Sequence, residues 1–314
     1  MLARSGWCGW CGLVVLLAGC DDCNKSGALP SNGAGDVPDA AAVDAATRTS
    51  TAPPDGGALN ATPIPTASVA AAVNPDRLPA YAGPTGSVKG VITVTGDRAP
   101  AVAGLDFSRC PEASSTWGHA FRESEGGKNG ARLLADAIVV VTGYKGFYLP
   151  EKEEAREVRI EKCAYNTRVL TMTYGQRLEV KNTTNDFWTP ILEPQTNIVL
   201  MMATPKGDPV KIYPKKPGHF LLLDRDRKYA SVDVYAFLHP LHASTDVAGH
   251  YRIDGLPVGK VKISTTHSQI DANAEAELTV SEGVVHRVDL SIKNVNRDAG
   301  AVTLPDAGIA PTLR

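Results

Sequence analysis

Long apolar runs are missing from this chain after its first twenty residues. No later segment reaches the roughly 20 apolar residues that a membrane-spanning helix requires, so the remainder reads as a folded domain outside the bilayer. Charge of one sign is equally scarce. Lys and Arg number 32 against 34 Asp and Glu, a net charge of -2, and no basic cluster occurs. That balance excludes an electrostatic surface for nucleic acid. Helical periodicity over ten or more residues is rare, and Ala131 to Ala137 supports at most a turn or two. No Gly-rich loop opens a helix, which leaves nucleotide phosphates without a cradle. Ser114, Ser115, His119 and Glu123 supply hydrolase residue types without the spacing of a nucleophile elbow. Aromatics make up only 6% of the chain, and Tyr81, Trp117 and Trp188 are scattered as core or rim residues of a sandwich would be.

What the chain does contain is a succession of short segments rich in Val, Ile and Thr, separated by Gly, Pro and Asn. Ser87 to Thr95, Ala137 to Thr142, Val169 to Tyr174, Ser231 to Phe237, Lys260 to Thr265 and Val285 to Ile292 are among them, as is Ile198 to Met202. Short strands with frequent turn signals predict an all-β fold of sandwich or barrel type.

The first 19 residues carry a single cation at Arg4, an apolar stretch from Leu13 to Leu17, and Leu17-Ala18-Gly19 before Cys20. This is the layout of a secretory signal peptide. Its ending resembles that of bacterial lipoproteins, which implies a lipid-modified Cys20 at the mature N-terminus and attachment to a bacterial membrane facing the periplasm or cell exterior. Residues 20–84 are dominated by Ala, Pro, Gly, Asp, Ser and Thr. Such a composition buries too little apolar surface to offset chain entropy, so a disordered linker is expected there, with an end-to-end span on the order of 40 Å. Residues 295–314 read as a second, shorter tail.

Six cysteines reduce to a simple expectation. Cys8 and Cys11 lie in the signal, Cys20 takes the lipid, and Cys23 sits in the linker. In an oxidising compartment Cys110 and Cys163 are the natural disulfide of the globular part.

Two further resemblances organise the middle of the chain. Gly86-Ser-Val-Lys-Gly90, Ala135 to Val141 and Thr245-Asp246-x-x-Gly249-x-Tyr251-x-Ile253-x-x-Leu256-Pro257-x-Gly259 resemble a carboxypeptidase regulatory-like domain, a transthyretin-like β-sandwich. This implies a sandwich assembled from 85–143 and 244–294. Between the two blocks, Val158 to Tyr165 and Gly175-x-x-Leu178-x-Val180-x-Asn182 resemble a cupredoxin, and 144–243 is expected to be a cupredoxin-like segment.

The stretch Ala236 to Gly259 joins the two resemblances. Its first part sets His239 and His242 three apart around Pro240, a corner able to aim two imidazoles at one Cu(II) or Zn(II) ion. A blue-copper centre, however, needs a thiolate, two imidazoles and a weak axial thioether. The resemblance puts Ala236 at the thiolate position, His242 at the Met position, and Phe187 and Trp188 where the family has a His. Electron transfer at such a centre is therefore not expected. A plainer metal site would need a third donor from His119, His219 or His267, and two ligands without a third make a weak site. The expectation is a non-catalytic lipoprotein that presents its β domain to an envelope protein or glycan, without a cofactor. Copper binding on a degenerate cupredoxin scaffold is the alternative.

Overall fold

The computed structural model describes residues 62–195 and 201–296. The signal, Cys20, Cys23 and most of both tails lie outside the described residues, as does most of the strand expected from Ile198.

The fold is all-β, and its strands fall into three runs. The first comprises β1 (Thr85–Gly96), β2 (Glu123–Ser124), β3 (Arg132–Leu134) and β4 (Ile138–Thr142). The second comprises β5 (Ala155–Glu161), β6 (Ala164–Tyr165), β7 (Val169–Thr173), β8 (Arg177–Asn182), β9 (Pro190–Glu193), β10 (Val210–Ile212), β11 (Gly218–Asp224) and β12 (Ser231–Phe237). The third comprises β13 (His242–Ser244), β14 (His250–Pro257), β15 (Gly259–His267), β16 (Ile270–Val280), β17 (Val285–Arg287) and β18 (Leu290–Asn294). The short segment Arg132–Leu134, expected as a turn, is drawn into a strand by pairing with β1 and β2.

The first and third runs pair with each other and build one sandwich. In one sheet β1 is the spine. Its N-terminal half lies between antiparallel β14 and parallel β17, and its C-terminal half pairs with β18 and β3. The facing sheet has the order β13-β4-β15-β16. Val88, Ile92 and Val94 alternate inward along β1, as a half-buried strand requires, and meet Val139, Val141, Ile253 and Ile263. The Thr245 to Tyr251 signature has a direct structural role. Thr245 Oγ1 donates to the Leu134 carbonyl (2.8 Å) and accepts from the Ala137 amide (2.9 Å), which ties β13 to the turn before β4. Asp246 Oδ1 accepts from the amides of Ala248 and His250, both at 2.9 Å, and shapes the turn. Gly249 closes it at φ 72°, where a Cβ would also strike the Ile92 carbonyl.

The second run builds the other sandwich, from sheets of order β10-β8-β5-β6 and β7-β12-β11-β9. Two of its pairings, β5 with β8 and β7 with β12, are parallel. Its core holds Ile160, Met172, Leu178, Trp188, Leu192, Phe220 and Val232.

The two sandwiches share an apolar seam. All four residues from Ile138 to Val141 are buried, which accounts for the unbroken apolar run IVVV. Val139 and Val141 face the first core, whereas Ile138 and Val140 pack with Val169 and Phe237 of the second sandwich. The strand β7 is likewise buried at every position.

Residues 105–117 cross over. They precede β2 in the chain, yet Leu105, Phe107, Cys110, Ala113 and Trp117 pack into the second core. The expected disulfide between Cys110 and Cys163 is present and fixes this segment there. Buried Arg168 reinforces it by donating to the carbonyls of Thr116, His119 and Ala120, each at 2.9 Å.

The linker expectation needs one correction. Thr66–Val73 forms a short helix, α1, in keeping with the high helix propensity of Ala in TASVAAAV. Val69 lies close against Gly175, and the Lys215 ammonium donates to the Thr62 carbonyl, so this part of the linker rests on the second sandwich. Further on, Tyr81 packs on Phe147 with ring centroids 4.4 Å apart.

Candidate functional site

The histidine corner follows directly from the end of β12. Phe237 is the last residue of that strand, and the chain then turns through Leu238 to Leu241 before β13 begins at His242. The turn closes on itself: the Leu241 amide donates to His239 Nδ1 (3.2 Å), and the His242 amide donates to the Pro240 carbonyl (3.0 Å). His242 pairs with Val140 on β4, at the seam. Its Nε2 lies 3.2 Å from Thr173 Oγ1 on β7, in the other sandwich. That hydroxyl donates to Glu151 (2.5 Å), so it accepts from His242 Nε2–H, and this assignment of the tautomer leaves Nδ1 bare. Nδ1 is buried and has no hydrogen-bond partner among the described residues.

Rings complete the corner. Phe237 stacks on His242 with centroids 4.9 Å apart, and Tyr144 meets His239 edge-on at 6.1 Å. Burial pushes His239 down to about 4. It pushes His242 to about 3, with the neighbouring His239 and the Arg156 cation adding to the effect. Both imidazoles are therefore neutral near pH 7, the state a metal ligand requires. Yet His239 Nδ1 already accepts a backbone amide and His242 Nε2 is held by Thr173. The third donors considered from sequence are placed elsewhere. His219 bonds Asp233 at 2.7 Å and stacks on Tyr235, and His267 packs against Phe121. Among the described residues, the only three donors lying within 4.8 Å of one another are Cys110, Glu112 and Cys163. Their two sulfurs are bonded to each other, so they offer no thiolate.

The other residues singled out from sequence have structural roles. Trp117 Nε1 donates to the Ser231 carbonyl at 3.0 Å inside the second core. Buried Trp188 lies under the Arg227 guanidinium, 4.0 Å from the ring centroid. The hydroxyls of Ser114 and Ser115 donate to the carbonyls of Pro111 and Glu112, capping a short helical turn. Glu123 forms an ion pair with buried Arg132 at 2.7 Å.

A second site has no counterpart in the sequence reading. A groove of about 830 Å³ opens between the sandwiches. Lys89, Arg252 and Arg287 line it from the first sandwich, Glu153 and Arg156 from the second, and Pro240 and His242 from the corner. Arg252 bonds Asp254 on its own strand at 2.7 Å, an interaction that lowers the Asp254 pKa together with a hydrogen bond from Ser87. Arg287 bonds Asp289 at 3.0 Å, and Arg156 bonds Glu153 at 3.3 Å. Each residue is an ordinary surface charge when met in sequence. The grouping depends on the parallel pairing of β17 with β1, which no local signal announces.

No family model and no curated protein matches the chain. Among solved structures it is similar to amicyanin from Paracoccus versutus, at 17% identity over 27% of this chain and 84% of that one, with a TM-score of 0.24. It is also similar to the reduced state of an amicyanin mutant, at 14% identity over 31% of this chain and 97% of that one, with a TM-score of 0.24.

Proposed function

We propose that this chain is a non-catalytic envelope protein, anchored through lipid on Cys20, that uses its paired β-sandwiches to bind a protein or glycan partner. The leader and linker composition supports the anchoring. The first sandwich is read as carboxypeptidase regulatory-like on the strength of its Thr245 to Gly259 signature. The observation that carries the binding reading is the groove, an open polar cleft where two domains meet, which is a preferred location for ligand sites. Lys89, Arg156, Arg252 and Arg287 project from strands, so their backbones are positioned without further ordering of the chain.

The test is capture of envelope components by the full chain in detergent, with and without mild cross-linking. A partner recovered in stoichiometric amount is the expected result. A chain that stays monomeric and retains neither protein nor glycan overturns the reading.

A further inference from the structure

The register of the first sandwich sets three cations side by side. Lys89 on β1 is the antiparallel partner of Arg252 on β14 and the parallel partner of Arg287 on β17. All three are exposed and lie on the outer face, while Val88, Tyr251 and Ile253 point into the core. Like charges directly opposite one another in a sheet destabilise it. Here the repulsion is relieved only in part. Asp254 and Asp289 pair with the two arginines along their own strands, whereas the Lys89 ammonium has no hydrogen-bond or ion-pair partner among the described residues. Arg156 adds a fourth cation from the other sandwich but is paired with Glu153, and Asp246 and Asp254 also line the groove, which leaves Lys89 as its unpaired cation.

From this geometry we infer that the groove binds an acidic glycan, with Lys89 as the central anion-binding residue and Arg252 and Arg287 flanking it. The inference rests on the binding reading above and names its ligand class. Two features favour a glycan over an acidic peptide. Lys89 lies on a strand paired on both sides, with β14 and β17, so no strand edge is open beside it for an extended peptide to join. The groove also exposes no aromatic ring to act as the buried anchor typical of protein interfaces. A carboxylate reaching Lys89 would find a cation that no protein acid already neutralises, and the arginines could share their remaining N–H donors.

The experiment titrates the full chain in detergent with an oligogalacturonate, a neutral cello-oligosaccharide of equal length and an oligoglutamate. The oligogalacturonate is expected to bind. Lys89→Ala is expected to weaken it about tenfold, the loss of one charge-assisted contact, and 0.5 M NaCl is expected to weaken it comparably by screening. Because Lys89 is exposed, the variant should keep the parent's circular dichroism, and Lys260→Ala, at an exposed lysine outside the groove lining, serves as the charge control. Failure of every probe to bind overturns the inference, as does equal binding by the neutral sugar, tighter binding by oligoglutamate, or undiminished affinity in Lys89→Ala. If an envelope partner is still captured by Lys89→Ala as well as by the parent, this inference fails while the broader binding reading stands.

Discussion

The contact between the two sandwiches has a closed side and an open side, and the two treat ionisable groups in opposite ways. On the closed side Ile138, Val140, Val169 and Phe237 pack against one another, and at its border half-buried His239 and His242 are held neutral by burial, His242 also lining the groove. On the open side Lys89, Arg252 and Arg287 remain charged and exposed, aligned across three strands. The closed side contains the residues that look functional in sequence, two histidines at ligand spacing. Their observed bonds serve cohesion, since Thr173 and His242 link one sandwich to the other. Each histidine keeps one ring nitrogen that these bonds do not use, and the register of ordinary surface charges is a signal that residue types alone do not carry.

The comparison can be broken most forcefully through the anchors of the second sandwich. Reducing the disulfide, or replacing Cys110 and Cys163 with Ala, removes a cross-link that spans 53 residues. Loop-closure entropy puts its loss at about 4 kcal/mol. Denaturant unfolding should show this, whereas a change within error would mean that residues 105–117 hold their place without it. Arg168→Met strands three carbonyls that the guanidinium now satisfies and should cost about 3 kcal/mol.

Acid should affect the closed side more than the open one. His239 and His242 have folded pKa values of about 4 and about 3, below the 6.5 of an unfolded histidine. The unfolded chain therefore takes up more protons as pH falls below 6.5, and stability is lost from there down toward pH 3. It is fully present above 6.5. His239 and His242 both drive this decline, and buried His267, with a folded pKa of about 4, adds in the same direction. Replacing His242 with Phe should flatten the slope measured between pH 6.5 and 4. An unchanged slope would mean the corner is wetter than described.

The smallest effect concerns the open side. Lys89→Glu places an acid between two arginines and should stabilise the fold by about 0.5 kcal/mol, raising Tm by about 1–2 °C.

Much of this architecture was legible in the sequence. The alternating pattern along Ser87 to Thr95 and turn signals such as Asp246 to Gly249 announced the β elements, and the pairing of Cys110 with Cys163, the two cysteines expected in the globular part, is present. Three things were not legible. The two-residue β2 and β6 and the strand at Arg132–Leu134 are too short to show periodicity, and pairing alone creates them. The crossing of residues 105–117 into the second core is a tertiary choice enforced by Trp117 and the disulfide. The cation row depends on β17 returning parallel to β1, almost 200 residues later in the chain. Of the two proposed metal ligands, the sequence placed both at one corner correctly, but it had no way to show that Leu241 and Thr173 already occupy one nitrogen of each.

The central claim is that the open side keeps an unneutralised cation for an anionic ligand at some expense to the fold. The most direct test measures Lys89→Glu twice, for melting temperature and for oligogalacturonate affinity. The account predicts a higher Tm together with loss of measurable binding. A variant that melts at or below the parent's temperature and binds the acidic glycan as tightly would contradict it.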